Sequence, residues 1–303
     1  MSLVKKIGLG LAGLVAFVLV GGLVFVWWIG AWGILFPSRD HETTPPAIAA
    51  DFGVDRALRV LVYSKTNQFR HTEGIAASHE LFDALAIEAD WAVFHTENSA
   101  VFDDALLDRF DVVVFASASG DHASDAQDGA FRRWLEDGGG WLGIHAAGDG
   151  SHAEWTWYEE TLKTGTYLGH ILGPQTQEAR VVVEDPNHPI TAGLPADFVH
   201  AEEWYSWDRG AREAGYHVLL TVDESTYSPW IRGLGQEKDI SMGDHPIVWS
   251  RCVERGRAVY TAMGHWGEAY DRDYTKTLLR NAVDWAGASD KTECRAAPRT
   301  ASR

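Results

Sequence analysis

"GGGWLGIHAAGD", residues 138–149, is an apolar run that passes into a turn of small residues with a histidine at its apex. Trp141 to His145 reads as a buried strand, and the glycines ahead of it stop the preceding helix after Asp137. Gly143, Ala146, Ala147 and Gly148 leave room for another backbone to approach closely. In α/β proteins such a strand-to-turn apex is where acyl-transfer enzymes present a serine or cysteine nucleophile. Here the residue is His145, which predicts a base or a metal ligand at that place.

Outward from this stretch the pattern alternates. Upstream lie the apolar runs "RVLVYS" (59–64), "DWAVFHT" (90–96) and "DVVVFAS" (111–117). A helix from about Thr72, its expected N-cap, follows the first run with Ile75, Phe82 and Leu85 on one face, and a short helix is expected across "DDALLDRF" (103–110). A third helix opens on Ser124 and Gln127 in a capping-box arrangement and buries Phe131, Trp134 and Leu135. Four buried strands separated by amphipathic helices predict right-handed crossovers and a flavodoxin-like α/β fold, a mainly parallel sheet with helices on both faces. The second half is less regular: a helix near 155–165, strands at 180–185, 217–223, 245–253 and 257–265, and a helix from Glu268 to Trp285. The last two strands are joined by "ERG" (254–256) as a hairpin.

Ligands of such sheets bind beyond the carboxyl ends of the strands, which selects the residues to weigh. Arg70 and His71 follow the first strand, Asp121 and His122 the third, His145 and Asp149 the fourth, and His265 ends the last. If the sheet is as read, His71, His145 and His265 share one cleft. His122, His152 and His170 are expected around it or at the surface, His79 within a helix, and His188 and His245 in turns before proline. "AEEWYSWD" (201–208) sets Glu202 and Glu203 beside Trp204, Tyr205 and Trp207, a combination that suits a sugar's hydroxyls and C–H face or, equally, a half-buried aromatic strand. Three imidazoles and Glu203 would satisfy a zinc- or manganese-like shell, although no local H-x-x-x-H spacing points to one. That shell is the alternative to a metal-free polar sugar cleft with direct acid–base roles, which is the leading expectation.

The remaining features bound the function. With 43 acidic against 26 basic residues the net charge is −17, which argues against a nucleic-acid partner, and no repeat of solenoid or propeller length is present. Residues 1–36 form a separate unit: Ile7 to Phe36 carries no charge, long enough to span a bilayer over about residues 7–29. Trp27, Trp28 and Trp32 are placed at the far interface. A cleaved signal peptide is the rival, disfavoured by the length of the apolar run and the want of a small-x-small site. Lys5 and Lys6 precede the span and only Arg39 soon follows, so a single-pass protein of the cytoplasmic membrane with its domain outside is expected. Residues 37–57 read as a polar, proline-containing linker that stands off the bilayer, and 288–303 as a frayed tail. Cys252 and Cys294 could tie that tail to a strand or stay as two inert thiols.

Seven segments in order, "VLVYSKTNQFRHTEGI" (60–75), "DVVVFASASGD" (111–121), "GGGWLGIHAAGD", "NHPITAGLP" (187–195), "EEWYSW" (202–207), "DHPIVW" (244–249) and "RAVYTAMGH" (257–265), resemble the trehalose utilisation (ThuA-like) family over Leu58 to Gly287. The resemblance implies a class I glutamine-amidotransferase-like variant of the flavodoxin-like sheet, and a link to uptake or breakdown of trehalose-type disaccharides, their 3-keto forms included. True amidotransferases of that fold carry a cysteine at the position matching His145, so glutamine hydrolysis is not expected here. The expectation is an anchored sugar-processing hydrolase or isomerase using acid–base or metal-assisted chemistry. His145 is the base or ligand, His71 and His265 ligands or proton donors, and Glu203 the carboxylate partner. Arg70, Asp121, Asp149, Trp204 and Tyr205 are candidate substrate contacts. No nucleotide cofactor is expected. A non-catalytic sugar-binding or sensing module, or a scaffold with structural histidines, are the rivals.

Overall fold

Runs of β-branched and aromatic residues with no polar face can only sit inside a sheet covered on both sides, and the computed structural model, which describes residues 2–233, 235–290 and Cys294, places them there. Its strands are β1 (Leu58–Tyr63), β2 (Trp91–Thr96), β3 (Val112–Ala116), β4 (Gly140–Ile144), β5 (Tyr167–His170), β6 (Gln177–Val183), β7 (Asp197–Glu202), β8 (Tyr205–Trp207), β9 (His217–Val222), β10 (Trp230–Gly233), β11 (Gln236–Asp239), β12 (Pro246–Val253) and β13 (Gly256–Thr261). The helices are α1 (Leu3–Trp28), α2 (Trp32–Leu35), α3 (Thr72–Ala89), α4 (Asp104–Leu107), α5 (Asp125–Glu136), α6 (Thr156–Thr161), α7 (Gly267–Tyr270) and α8 (Asp273–Gly287).

One nine-stranded sheet runs β2-β1-β3-β4-β13-β12-β9-β6-β7. It is parallel from β2 to β13 and antiparallel beyond, so a flavodoxin-like core carries an antiparallel extension. Every side chain of β3, β4 and β13 is buried. Helix α5 lays Phe131 on Phe115 of β3, with ring centroids 5.1 Å apart, and its first turn is closed by Ser124 N–H donating to Gln127 Oε1 at 2.8 Å. The extension bends back so that the end of β7 returns to the loop after β13, where Gly264 N–H donates to Glu202 Oε2 at 2.6 Å.

Several expectations need correction. The cap of α3 is His71, one residue earlier than Thr72. The final helix is broken into α7 and α8, because the backbone extends at Arg272 (φ −79°, ψ 130°). Strands β5, β7, β10 and β11 were not expected. Residues 37–57 do not stand off the domain. Lys65 Nζ donates to Glu42 Oε2 at 2.6 Å, Ser99 N–H donates to the same oxygen at 2.9 Å, and Phe52 packs on Phe94 and Phe110 with centroids 6.1 and 5.5 Å apart. The stretch read as a tether because its polar groups are many, yet each of these finds a partner on the domain. Cys252 of β12 is joined to Cys294 by a disulfide. The rest of the tail expected to fray lies largely outside the described residues.

From Lys5 to Trp28 helix α1 is exposed apart from the half-buried Val26, and that stretch is long and apolar enough to cross a membrane. By length and composition it could equally be a signal sequence.

Candidate metal centre

The carboxyl ends of β1, β4 and β13 and the turn between β7 and β8 meet at one point. His145 begins the turn after β4 in the left-handed region, φ 49°, a conformation uncommon for residues other than glycine and suited to a sharp elbow. Two contacts hold it: its carbonyl accepts from Tyr260 Oη at 2.8 Å, and its Nδ1–H donates to the Ala262 carbonyl at 2.8 Å. That second bond fixes the tautomer and turns the Nε2 lone pair inward. The small residues after it are required, since a Cβ on Gly148 would lie 2.3 Å from the Tyr260 ring. Likewise a Cβ on Gly74 would lie 2.5 Å from the Gly264 carbonyl oxygen, so only glycine lets the first turn of α3 press His71 against His265.

At the meeting point Glu203 Oε2 lies 3.0 Å from His265 Nδ1, 3.4 Å from His145 Nε2 and 4.0 Å from His71 Nε2, while His145 Nε2 and His265 Nδ1 are 3.0 Å apart. One atom from each of the four residues fits within 4.8 Å of the others, and all four side chains are buried. Tetrahedral ligands about 2.1 Å from an ion lie ~3.4 Å from each other, so the four could hold a metal ion. Burial works against the charged form of His145, but the hydrogen bond and charge of Glu203 and the charge of Glu202 outweigh it and raise its pKa. For Glu203 burial favours the neutral acid, and His145 and His265 overcome it, holding the carboxyl well below its ordinary range. His71 is pushed well below its ordinary value by burial and then by His145 and His265, so its imidazole is neutral and ready to ligate.

The pocket's walls are Phe69 on the His71 ring (4.7 Å between centroids), Tyr205 on the His145 ring (4.3 Å) and Trp266 on the His265 ring (4.4 Å). Of the expected substrate contacts, Tyr205 alone reaches the cluster. Arg70 turns away to Glu97 Oε1 at 2.7 Å and Thr66 Oγ1 at 3.2 Å. Asp121 faces His41 at 3.0 Å on the other flank, Asp149 is half-buried with Oδ1 accepting from Ser151 N–H at 2.7 Å, and Trp204 is enclosed in the core with its indole N–H on the Gln177 carbonyl. Each is committed to a structural partner. Gln175, which the sequence did not signal, donates to Glu203 Oε1 at 2.6 Å, and Glu202, read as a sugar-facing carboxylate, instead accepts from both Glu203 N–H and Gly264 N–H, stapling the two ligand loops. His170 stands 3.0 Å from Glu203 Oε1, within the surroundings expected for it. A larger cavity, about 1220 Å³, opens at the amino edge of the sheet between Asp137, Arg255 and Gly287, but its arginines are already paired with Asp104 and Asp137.

The trehalose utilisation (ThuA) family model matches residues 59–286, nearly all of the domain that carries this cluster. The chain belongs to the ThuA family. A putative ThuA-like protein from Bacteroides uniformis ATCC 8492 is 27% identical with a TM-score of 0.66, covering 82% of this chain and 98% of that one. A second putative ThuA-like protein, from Parabacteroides merdae ATCC 43184, shares the fold at 20% identity and a TM-score of 0.56, covering 76% and 90%. No curated protein matches the chain. In this ThuA-family member His145 stands at the elbow after β4, and Cys252 and Cys294 are joined to each other.

Proposed function

We propose that this chain is a membrane-anchored enzyme of sugar utilisation, acting on a trehalose-type disaccharide or keto-sugar at a divalent cation held by His71, His145, Glu203 and His265. The observation that carries the reading is the convergence of these four buried ligand atoms, drawn from positions up to 194 residues apart (265 minus 71). Three nitrogens and one oxygen suit zinc, which would have to accept a substrate oxygen as a fifth ligand or in place of one of the four, and manganese is the runner-up because it would call for further oxygen ligands. When bound, such an ion polarises a carbonyl or hydroxyl oxygen. The chain's own part is to keep His145 in one tautomer through Ala262, to hold Glu203 through Gln175, and to exclude water with Phe69 and Tyr205. Anchoring is supported by the exposed apolar helix α1, and an extracytoplasmic domain by Lys5 and Lys6 before it together with the disulfide.

One observation favours a second reading. His145 Nε2 and His265 Nδ1 stand at hydrogen-bonding distance, so a proton can be shared between them and Glu203 with no ion present. Elemental analysis of the detergent-solubilised chain, paired with turnover of keto and non-keto disaccharides before and after chelation, separates the two. A stoichiometric ion lost in His145→Ala, with turnover lost on chelation, is the expected result. Ion-free turnover favours the proton-sharing pocket, and sugar binding with neither ion nor turnover makes the domain a binding module.

A further inference from the structure

The geometry points to a bilayer-facing pocket: we propose that the sheet edge bearing the His/Glu cluster lies against the membrane surface, docked through the residues that follow α1. The proposal rests on reading α1 as a membrane anchor. Helix α1 ends at Trp28, and two residues later the Gly30 carbonyl accepts Arg70 N–H at 2.9 Å. Gly33 presses on the same loop so closely that a Cβ would lie 2.2 Å from the Gln68 carbonyl oxygen, and Ser38 N–H donates to the Asn67 carbonyl at 3.4 Å. Residues 30–38 therefore run along residues 67–70. Phe69 lies in the middle of that loop with its ring on His71, so one wall of the pocket is the surface on which the end of the span rests.

The outer side of the same segment is apolar and uncovered. Trp32, Ile34, Leu35 and Phe36 are 42–57% exposed, continuous with Trp27 and Trp28 on the last turn of α1. Indoles and apolar side chains next to a span belong in the interfacial layer, and no charge interrupts residues 7–36 to keep them in water. The occupant that covers this patch is the lipid surface that α1 enters. With α2 seated there, the loop at 67–70 is drawn to the headgroups together with the pocket walls that adjoin it, Phe69 on His71 and, across the neighbouring His265 ring, Trp266. Helix α3 runs from the carboxyl end of β1 back to the start of the parallel strand β2, so Ile87, ~22 Å along it from Thr72, lies toward the opposite edge of the sheet.

The test uses the full chain in phosphatidylcholine nanodiscs, with and without nitroxide on the lipid headgroups. A fluorophore is attached to one new thiol at a time, the native cysteines being paired: Gln68→Cys on the rim, Glu268→Cys two residues past Trp266, and Ile87→Cys at the far end. All three positions are exposed. The expected result is that the labels at 68 and 268 lose most of their emission to the nitroxide while that at 87 keeps it. Any other pattern, including quenching at 68 alone, overturns the proposal. Mass spectrometry of the reconstituted chain keeps the failures apart: a chain lacking its first segment removes the anchor reading and the proposal together, whereas full mass with an unquenched rim removes only the proposal. Metal content is read independently of both.

Discussion

Two sets of buried imidazoles stand along the same edge of this sheet, and they differ in having a carboxylate among them. His71, His145 and His265 surround Glu203; His122 and His152, on the other flank, have rings 5.2 Å apart and no acid between them. Neither ring nitrogen of His122 has a hydrogen-bond partner among the described residues, and burial pushes its pKa well below the ordinary value. His152 is lowered to about 3 by burial and the charge of Lys163. His145 is just as enclosed, yet its pKa is raised. Burial by itself therefore makes an imidazole an inert ring, and a carboxylate placed with it makes a group that can carry a proton or receive a cation. A cavity of about 740 Å³ beside His122 and His152, walled by Trp155, Trp157 and residues of the 37–41 stretch, does not change this contrast.

The contrast breaks most forcefully at Glu203. Glu203→Gln should abolish bound metal and, by leaving imidazolium without its partner, cost the ion-free chain about 3–5 kcal/mol in denaturant melts. Retained metal at full stoichiometry would mean the glutamate is not a ligand. Next in size is pH. The raised pKa of His145 means that a proton competes for the nitrogen facing the site, so metal affinity should fall as pH drops through that pKa and rise above it. Chelator competition between about pH 6 and 8 reads this slope, and a flat profile would contradict the assignment of His145. The smallest effect is expected on the other flank. His122→Leu should leave metal content unchanged and raise stability by no more than the about 1–3 kcal/mol that an unsatisfied buried polar group costs; a lost ion in that variant would tie the two sets together.

Much of this arrangement was legible in the chain. The β-branched runs fix β1 to β4, the small residues after Ile144 mark the elbow, and strand-end position picks out three imidazoles that do converge. What strand-end position leaves open is the flank to which a side chain turns. Arg70 is adjacent to His71 and Asp121 to His122, yet Arg70 reaches Glu97 and Asp121 reaches His41. Trp204 and Tyr205 read as one aromatic surface, but both rings are buried, and only Tyr205, at the start of β8, packs on His145. Glu202 was singled out beside Glu203 as a sugar-binding carboxylate, yet its work is done on backbone N–H groups of a loop 62 residues away, and local patterning carries no trace of that.

The four converging groups also decide when the site comes into being during biogenesis. His71 and His265 come from opposite ends of the domain, and His145 is steadied by a carbonyl that exists in place only after β13 has inserted between β4 and β12. No nascent or truncated chain that stops short of that strand contains the constellation. An ion captured there would bind the finished fold alone, and by mass action it would latch β13, the last strand of the sequence, against unravelling.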